Sequence, residues 1–221
     1  SLDALVEFES IEDALLERER DGEIDCILVG ATGSGALARL LLGTTAEAIV
    51  RRATSPVCVV PPQRALDGVE TILAPVDLSD CSRASLQLAI ELAREHGASL
   101  HVLRALPIPN TAMVPYETDV PPVDFQTYKA ESLEALERLV DEVDTSGVEV
   151  TTEQLIESPT TAILSYADDN DVDLIVMGTH GRRGVERFFL GSTATKVLRR
   201  PPCPVCTVRH SGQTAPGDRT D

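Results

Sequence analysis

Residues 25–30, Asp-Cys-Ile-Leu-Val-Gly, recur as Asp-Leu-Ile-Val-Met-Gly at 173–178. The offset, from Gly30 to Gly178, is 148 positions, and it holds without a gap to Val60 and Val208. Gly33 falls on Gly181, Gly43 on Gly191, and Thr45-Ala46 on Thr193-Ala194. Arg51-Arg52 falls on Arg199-Arg200, and the Pro-Val-Cys-Val-Val of 56–60 on the Pro-Val-Cys-Thr-Val of 204–208. Upstream, Glu9-Ser10 falls on Glu157-Ser158. A period of this size is a domain length, not a solenoid unit, so the chain carries two copies of one fold. The second copy runs complete over 69–209. The first spans 1–62 and opens at the equivalent of Glu149, so it is the C-terminal part of a domain. Residues 63–68 are a linker, and 210–221 read as a disordered tail.

The second copy alternates strand and helix patterns. Apolar runs at 70–78, 99–106, 148–156, 173–178 and 204–208 predict five strands. Ser79 or Asp80 caps a helix ending at Gly97, and Ser158-Pro159 opens another. A long amphipathic helix covers 125–143, with an acidic, solvated face over 131–144, and a shorter helix covers 192–200. Residues 107–123 hold five prolines and predict a loop. The strand at 173–178 is apolar throughout, as a strand covered on both faces must be. The prediction is an α/β fold: a doubly wound, open, five-stranded parallel sheet with helices on both faces. Such sheets bind ligands beyond the carboxyl ends of their strands, at the switch point.

The final strands, Val57–Val60 and Val205–Val208, each end a sheet with a free edge. Free edges invite pairing. The expectation is that the two edges pair, either within one chain or between chains as a homodimer.

Charge narrows the partners. With 36 acidic and 19 basic residues the net charge is −17, and the lysines are only Lys129 and Lys196. Such a surface repels nucleic acid and anionic lipid, and its composition is halophile-like. No apolar run reaches the roughly 18–20 residues of a membrane span, and the acidic N-terminus is not a signal sequence. A cytoplasmic location follows, with five cysteines held as thiols.

The chemistry sits in Gly178-x2-Gly181-x9-Gly191-Ser192-Thr193. Glycine admits positive φ and lets backbone amides approach an anion. Ser192 and Thr193 open a helix, whose free N–H groups and dipole favour phosphate. Arg182 and Arg183 add local positive charge. This is neither the Walker spacing nor GxGxxG, and turn and cap roles are the commoner account of two glycines alone. Asp77 ends the first strand and also reads as a cap. His180 reads as a loop histidine. Cys203-x2-Cys206 enters a strand through Pro204, not a helix N-terminus, and has no second pair, so it reads as structural.

The second copy resembles the universal stress protein (UspA) family. The resemblance rests on Ile-Leu-Ala-Pro-Val-Asp-Leu-Ser at 72–79, the glycine pattern at every position, and the closing Cys-Pro-Val-Cys-Thr-Val. It identifies a tandem member with a truncated first domain, in the subclass carrying the ATP-binding motif. It implies a Rossmann-like, adenine nucleotide alpha hydrolase-like fold and a stress-response role. The ligand it implies is ATP, alone or as its Mg2+ complex. Pro75, Val76 and Asp77 are implied nucleoside contacts, Ala105 an adenine contact, and Met177 and Gly178 the base and ribose side. Gly181, Arg182, Gly191, Ser192 and Thr193 are implied phosphate contacts. Arg104 stands where many members differ, and it is expected on the other sheet face. In the first copy Gly30, Gly33, Gly43 and Thr44 repeat the pattern, but the strands bearing counterparts of Asp77 and Ala105 are absent, so its site is incomplete. No residue is assigned as catalytic and none as a metal ligand; turnover, if any, is very slow ATP hydrolysis. The competing classes are an interaction scaffold that binds no nucleotide, which the intact glycines argue against, and an adenylyl-transferring enzyme, for which no signature residue is present.

Overall fold

The computed structural model describes residues 10–31, 42–62, 68–107, 125–181 and 190–209. The tail 210–221, most of the proline-rich loop, Gly33, Arg182 and Arg183 lie outside the described residues. The elements run α1 (Ile11–Arg20), β1 (Ile27–Gly30), α2 (Thr44–Arg52), β2 (Val57–Val60), β3 (Thr71–Pro75), α3 (Asp80–His96), β4 (Ser99–Ala105), α4 (Phe125–Asp141), β5 (Val150–Leu155), α5 (Pro159–Asp169), β6 (Leu174–Gly178), α6 (Ser192–Arg199) and β7 (Val205–Val208).

Local chemistry sets the helix ends. Ser79 Oγ accepts from the Ser82 amide, and α3 stops at Gly97, whose φ of 66° is the left-handed conformation glycine adopts without a Cβ penalty. Ser10 and Ser158, equivalent under the repeat, cap α1 and α5 in the same way, accepting from the amides of Asp13 and Thr161. The helix over 125–141 buries Ser132, Leu136 and Leu139 and turns its acidic residues to solvent.

The five strands of the second copy form a parallel sheet, as the alternating pattern requires, but the sheet does not stop there. Seven strands run in the order β1-β2-β7-β6-β3-β4-β5. Strand β2 joins β7 antiparallel, with Val57 opposite Thr207, Cys58 opposite Cys206 and Val59 opposite Val205. The two predicted edges thus pair within one chain. Thr207 Oγ1 adds a buried bond to the Val57 carbonyl at 3.1 Å.

Apolar side chains cover both faces. On one, Leu73, Leu103, Ile175 and Val205 pack with Val57 and Val59 under Ile49 of α2, Ile163 of α5 and Val197 of α6. On the other, Ile72, Leu100, Val102 and Val176 pack under Leu86 and Ile90 of α3 and Leu136 of α4. Each fully buried Leu or Ile contributes about 1.5–3 kcal/mol. Helices α3 and α4 do not reach β1: Leu28, in the middle of that strand, is 62% exposed. No helix among the described residues is long and apolar enough to cross a membrane.

Candidate functional site

Strand β3 hydrogen-bonds to β4 on one side and to β6 on the other. The connections run outward from it in opposite directions, which makes the carboxyl ends of β3 and β6 the switch point of the sheet. A cleft of about 930 Å3 opens there. Ten of the eleven residues predicted for the complete copy line it: Pro75, Val76, Asp77, Ala105, Met177, Gly178, Gly181, Gly191, Ser192 and Thr193. Arg182 is the eleventh and lies outside the described residues.

The chain turns into this cleft through Leu78, held at a φ of 66°. A non-glycine residue there costs about 1–2 kcal/mol, and such strain persists where surrounding structure imposes it. Beside it, one oxygen of Asp77 accepts from Ser79, from its amide at 3.1 Å and its hydroxyl at 2.6 Å. The other oxygen faces Gly181: a Cβ on that glycine would lie 2.4 Å from Asp77 Oδ2. The glycine and the carboxylate therefore need each other's shape.

Gly178 and Gly191 meet the same kind of limit. A Cβ on Gly178 would lie 3.1 Å from the backbone of Cys81, and one on Gly191 would lie 2.9 Å from the carbonyl oxygen of Thr179. This corrects one part of the sequence reasoning. None of the motif glycines among the described residues has a positive φ, and the Gly191 amide is spent on the Thr179 carbonyl at 2.8 Å. At Gly178 and Gly191 the close approach of neighbouring backbone, not left-handed geometry, is what demands glycine.

The consequence appears one residue later. Helices α1, α3 and α5 have serine N-caps that consume an amide of the first turn; α6 begins at Gly191, which has no side chain to do so. Ser192, Thr193 and Ala194, the first turn of α6, line the cleft, and their amides, at the positive end of the helix dipole, have no side-chain cap. The hydroxyls of Ser192 and Thr193 stand beside them.

Sequence reasoning missed other parts of the lining, among them Ser82, Leu106, Tyr128, Ile163, Thr179, His180 and Leu190. Ile163 belongs to the apolar stripe of α5 and carries no signal of its own. Thr179 follows the motif glycine directly, and its Oγ1 lies 2.9 Å from His180 Nδ1, fixing the ring at the rim. Arg104 lies, as expected, on the face opposite Leu103: its Nε donates to Ser132 Oγ of α4, and it is 6% exposed. Cys203 and Cys206 belong to opposite faces of the sheet, so the Cys-x2-Cys pair does not converge. Among the described residues no three His, Cys, Asp or Glu side chains converge to hold a metal ion.

In the first copy, Gly43 donates to the Ala31 carbonyl at 2.7 Å and starts α2 with no side-chain cap, the counterpart of Gly191 and α6. Gly30 ends β1 and Thr44 begins α2. Gly33 lies outside the described residues. Strand β1 pairs with β2, and no described strand adjoins its other edge.

Comparison with known proteins agrees with this architecture. Residues 1–61 and 68–209 match the universal stress protein family. A universal stress protein of Methanocaldococcus jannaschii is 33% identical over 138 residues, covering 62% of this chain and 81% of the relative. One from Mycobacterium tuberculosis is 29% identical over 203 residues, or 87% of this chain, and the match spans 64% of the relative's own length. Among solved structures, the universal stress protein UspA of Lactobacillus plantarum is 30% identical with a TM-score of 0.54, covering 64% of this chain and 99% of that one. A protein from Pseudomonas aeruginosa described as a putative universal stress protein shares the fold over 91% of this chain and 69% of its own, with a TM-score of 0.66 at 22% identity. By matched sequence over both copies and by fold, the chain belongs to the universal stress protein family.

Proposed function

We propose that the chain binds ATP in the cleft between β3 and β6 and acts as a regulatory or sensing module in a stress response. The observation that carries this reading is the uncapped start of α6. Its first-turn amides and two hydroxyls form an anion cradle opening into the cleft. In this reading Gly181, Ser192 and Thr193 hold the phosphates, joined by Arg182, and Gly191 contributes by leaving the start of α6 without a side-chain cap. Asp77 meets the ribose, and Pro75, Val76, Ala105, Met177 and Gly178 enclose the nucleoside. The mixed lining suits such a ligand, apolar toward β3 and β4 and polar toward α6.

The role assigned is binding, with little or no turnover. Asp77 is the acidic residue among the described lining, and one of its oxygens is already held by Ser79. Hydrolysis needs a group that positions the attacking water, and no residue is assigned to that task here. Mg2+ would enter as part of the nucleotide complex.

Calorimetric titration with ATP, ADP and AMP tests this, with native mass spectrometry reading any nucleotide carried through purification. Binding is expected in a single class of site, strongest for ATP. An intact, folded chain that takes up no ATP at millimolar concentration would refute the reading.

A further inference from the structure

Two hydrogen bonds fix the start of α4 over the carboxyl edge of the sheet. Arg104 Nε of β4 donates to Ser132 Oγ, and Gln154 Nε2 of β5 donates to the Lys129 carbonyl at 3.0 Å. Arg104 and Gln154 are register partners on adjacent strands. The first turns of α4 are therefore held at the ends of β4 and β5. Arg104 stands one residue before Ala105, which the ATP reading places against the base.

Helical spacing then places an aromatic ring. Tyr128, Ser132, Leu136 and Leu139 share one face of α4. Ser132, Leu136 and Leu139 are buried. Tyr128 continues the same stripe toward the helix start, yet it is half-buried. It lies one turn nearer the strand ends, where it lines the cleft with Ala105, Leu106 and Pro107. Phe125 braces its ring from within the helix, with centroids 6.5 Å apart and planes at 45°. The cleft thus has two unlike ends. At α6 it offers uncapped amides and hydroxyls; at β4 and α4 it offers an aromatic ring among apolar walls.

We propose that Tyr128 stacks on the nucleobase and gives the cleft a preference for purine over pyrimidine nucleotides. The inference rests on the ATP reading above and adds to it how the base end is recognised. Stacking on an aromatic side chain is open to every base, because every base has a π-face. A purine lays two fused rings on the phenol and a pyrimidine only one, so the purine gains more. The edge atoms that distinguish adenine from guanine lie in the plane of the base, out of reach of a ring stacked on its face. Tyr128 therefore selects the size of the base and leaves the choice between adenine and guanine to other contacts. Its hydroxyl takes no part in the stack, so phenylalanine would serve in its place.

Calorimetric titration of the full chain with ATP and UTP tests this. Tyr128→Phe should keep ATP affinity within about twofold. Tyr128→Leu keeps apolar bulk but loses the π-face, and should bind ATP about tenfold more weakly. UTP should weaken clearly less, so the ATP-to-UTP affinity ratio falls in Tyr128→Leu and holds in Tyr128→Phe. A second readout needs no destabilised variant. The chain has three tyrosines and no tryptophan, so ATP should quench tyrosine emission in the wild type and fail to do so in Tyr128→Phe, although that variant still binds. The proposal is overturned if Tyr128→Leu binds ATP as tightly as the wild type, or if it loses ATP and UTP by the same factor, which would mark a merely structural role. Quenching that persists undiminished in Tyr128→Phe also overturns it. A wild-type chain that binds no ATP refutes the ATP reading itself, and this inference with it.

Discussion

At the end of β6 the Gly191 amide closes on the Thr179 carbonyl at 2.8 Å, and at the end of β1 the Gly43 amide closes on the Ala31 carbonyl at 2.7 Å. Each closure starts a helix with no side-chain cap. The two closing bonds match, and so does the uncapped start of the helix that follows each. Their surroundings differ. Strand β6 has β3 beside it, delivering Asp77 and Val76 to the cleft, whereas β1 has only β2 among the described strands. An anion cradle is a local property that travels with a short stretch of sequence. A nucleotide site is a property of neighbouring strands and does not travel with it.

The largest effect expected to break this comparison is at Gly191. A valine there would drive its Cβ to 2.9 Å from a backbone oxygen that cannot easily move. Overpacking of this kind costs about 1–3 kcal/mol, so denaturant unfolding of Gly191→Val should show that loss, and ATP affinity should fall at least about tenfold. Wild-type stability would mean that the Thr179 carbonyl gives way to the added Cβ.

Next comes Asp77. Replacing it with alanine is expected to weaken ATP binding about tenfold, or about 1.4 kcal/mol. Thr44→Ala, beside β1, where no described strand takes the place of β3, should leave calorimetric affinity and stoichiometry unchanged. A drop of equal size at Thr44 would show that both loops bind nucleotide and that neighbouring strands matter less than argued.

The seam gives a smaller number. Thr207→Val removes the hydroxyl that serves the buried Val57 carbonyl, and should cost about 1 kcal/mol in urea unfolding. No loss would show that the strand ladder alone fixes β2 on β7. The matched caps sharpen the comparison further: Ser10→Ala and Ser158→Ala should each cost about 0.5–1 kcal/mol. If only Ser158 shows a loss in hydrogen exchange or melting, α1 frays independently of the rest of the sheet.

The smallest effect is global. Screening shortens from about 30 Å at 0.01 M salt to about 3 Å at 1 M. With a net charge of −17, the melting temperature should rise by a few degrees as salt increases, read by scanning fluorimetry. A flat or falling curve would mean the acidic surface is merely tolerated.

Much of the fold was legible because period and punctuation agreed. Ser79 and Gly97 bracket α3 as capping chemistry demands, and the apolar run ending at Gly178 is a doubly covered strand. The repeat exposed Ser10 and Ser158 as equivalent positions, and both prove to be caps. The reason for the glycines was not legible. Gly181 and Gly191 are forced by Asp77 and by the Thr179 carbonyl, neighbours brought together only by the sheet. Tyr128 and Ile163 reach the cleft from helices far along the chain, and nothing in their local sequence separates them from ordinary helix residues. That Cys58 faces Cys206 across the seam was equally hidden, because the two lie on strands far apart in sequence and Cys206 lies on the far face from Cys203, its near neighbour.

The antiparallel join of β2 to β7 has a consequence for assembly. A strand held on the same chain presents itself at an effective concentration in the millimolar range for short flexible linkers, set by the tether and not by how much protein is in the tube. Here β2 and β3 are separated by the short stretch 61–70. A second molecule seeking the same edge of β7 must first displace that tethered competitor. Pairing through β7 between chains should therefore be suppressed at ordinary protein concentrations and should emerge only when β2 is unseated. The seam makes this edge self-limiting: the chain pairs the edge of β7 with its own β2 and leaves further association to β1 and β5, the outer strands of the described sheet.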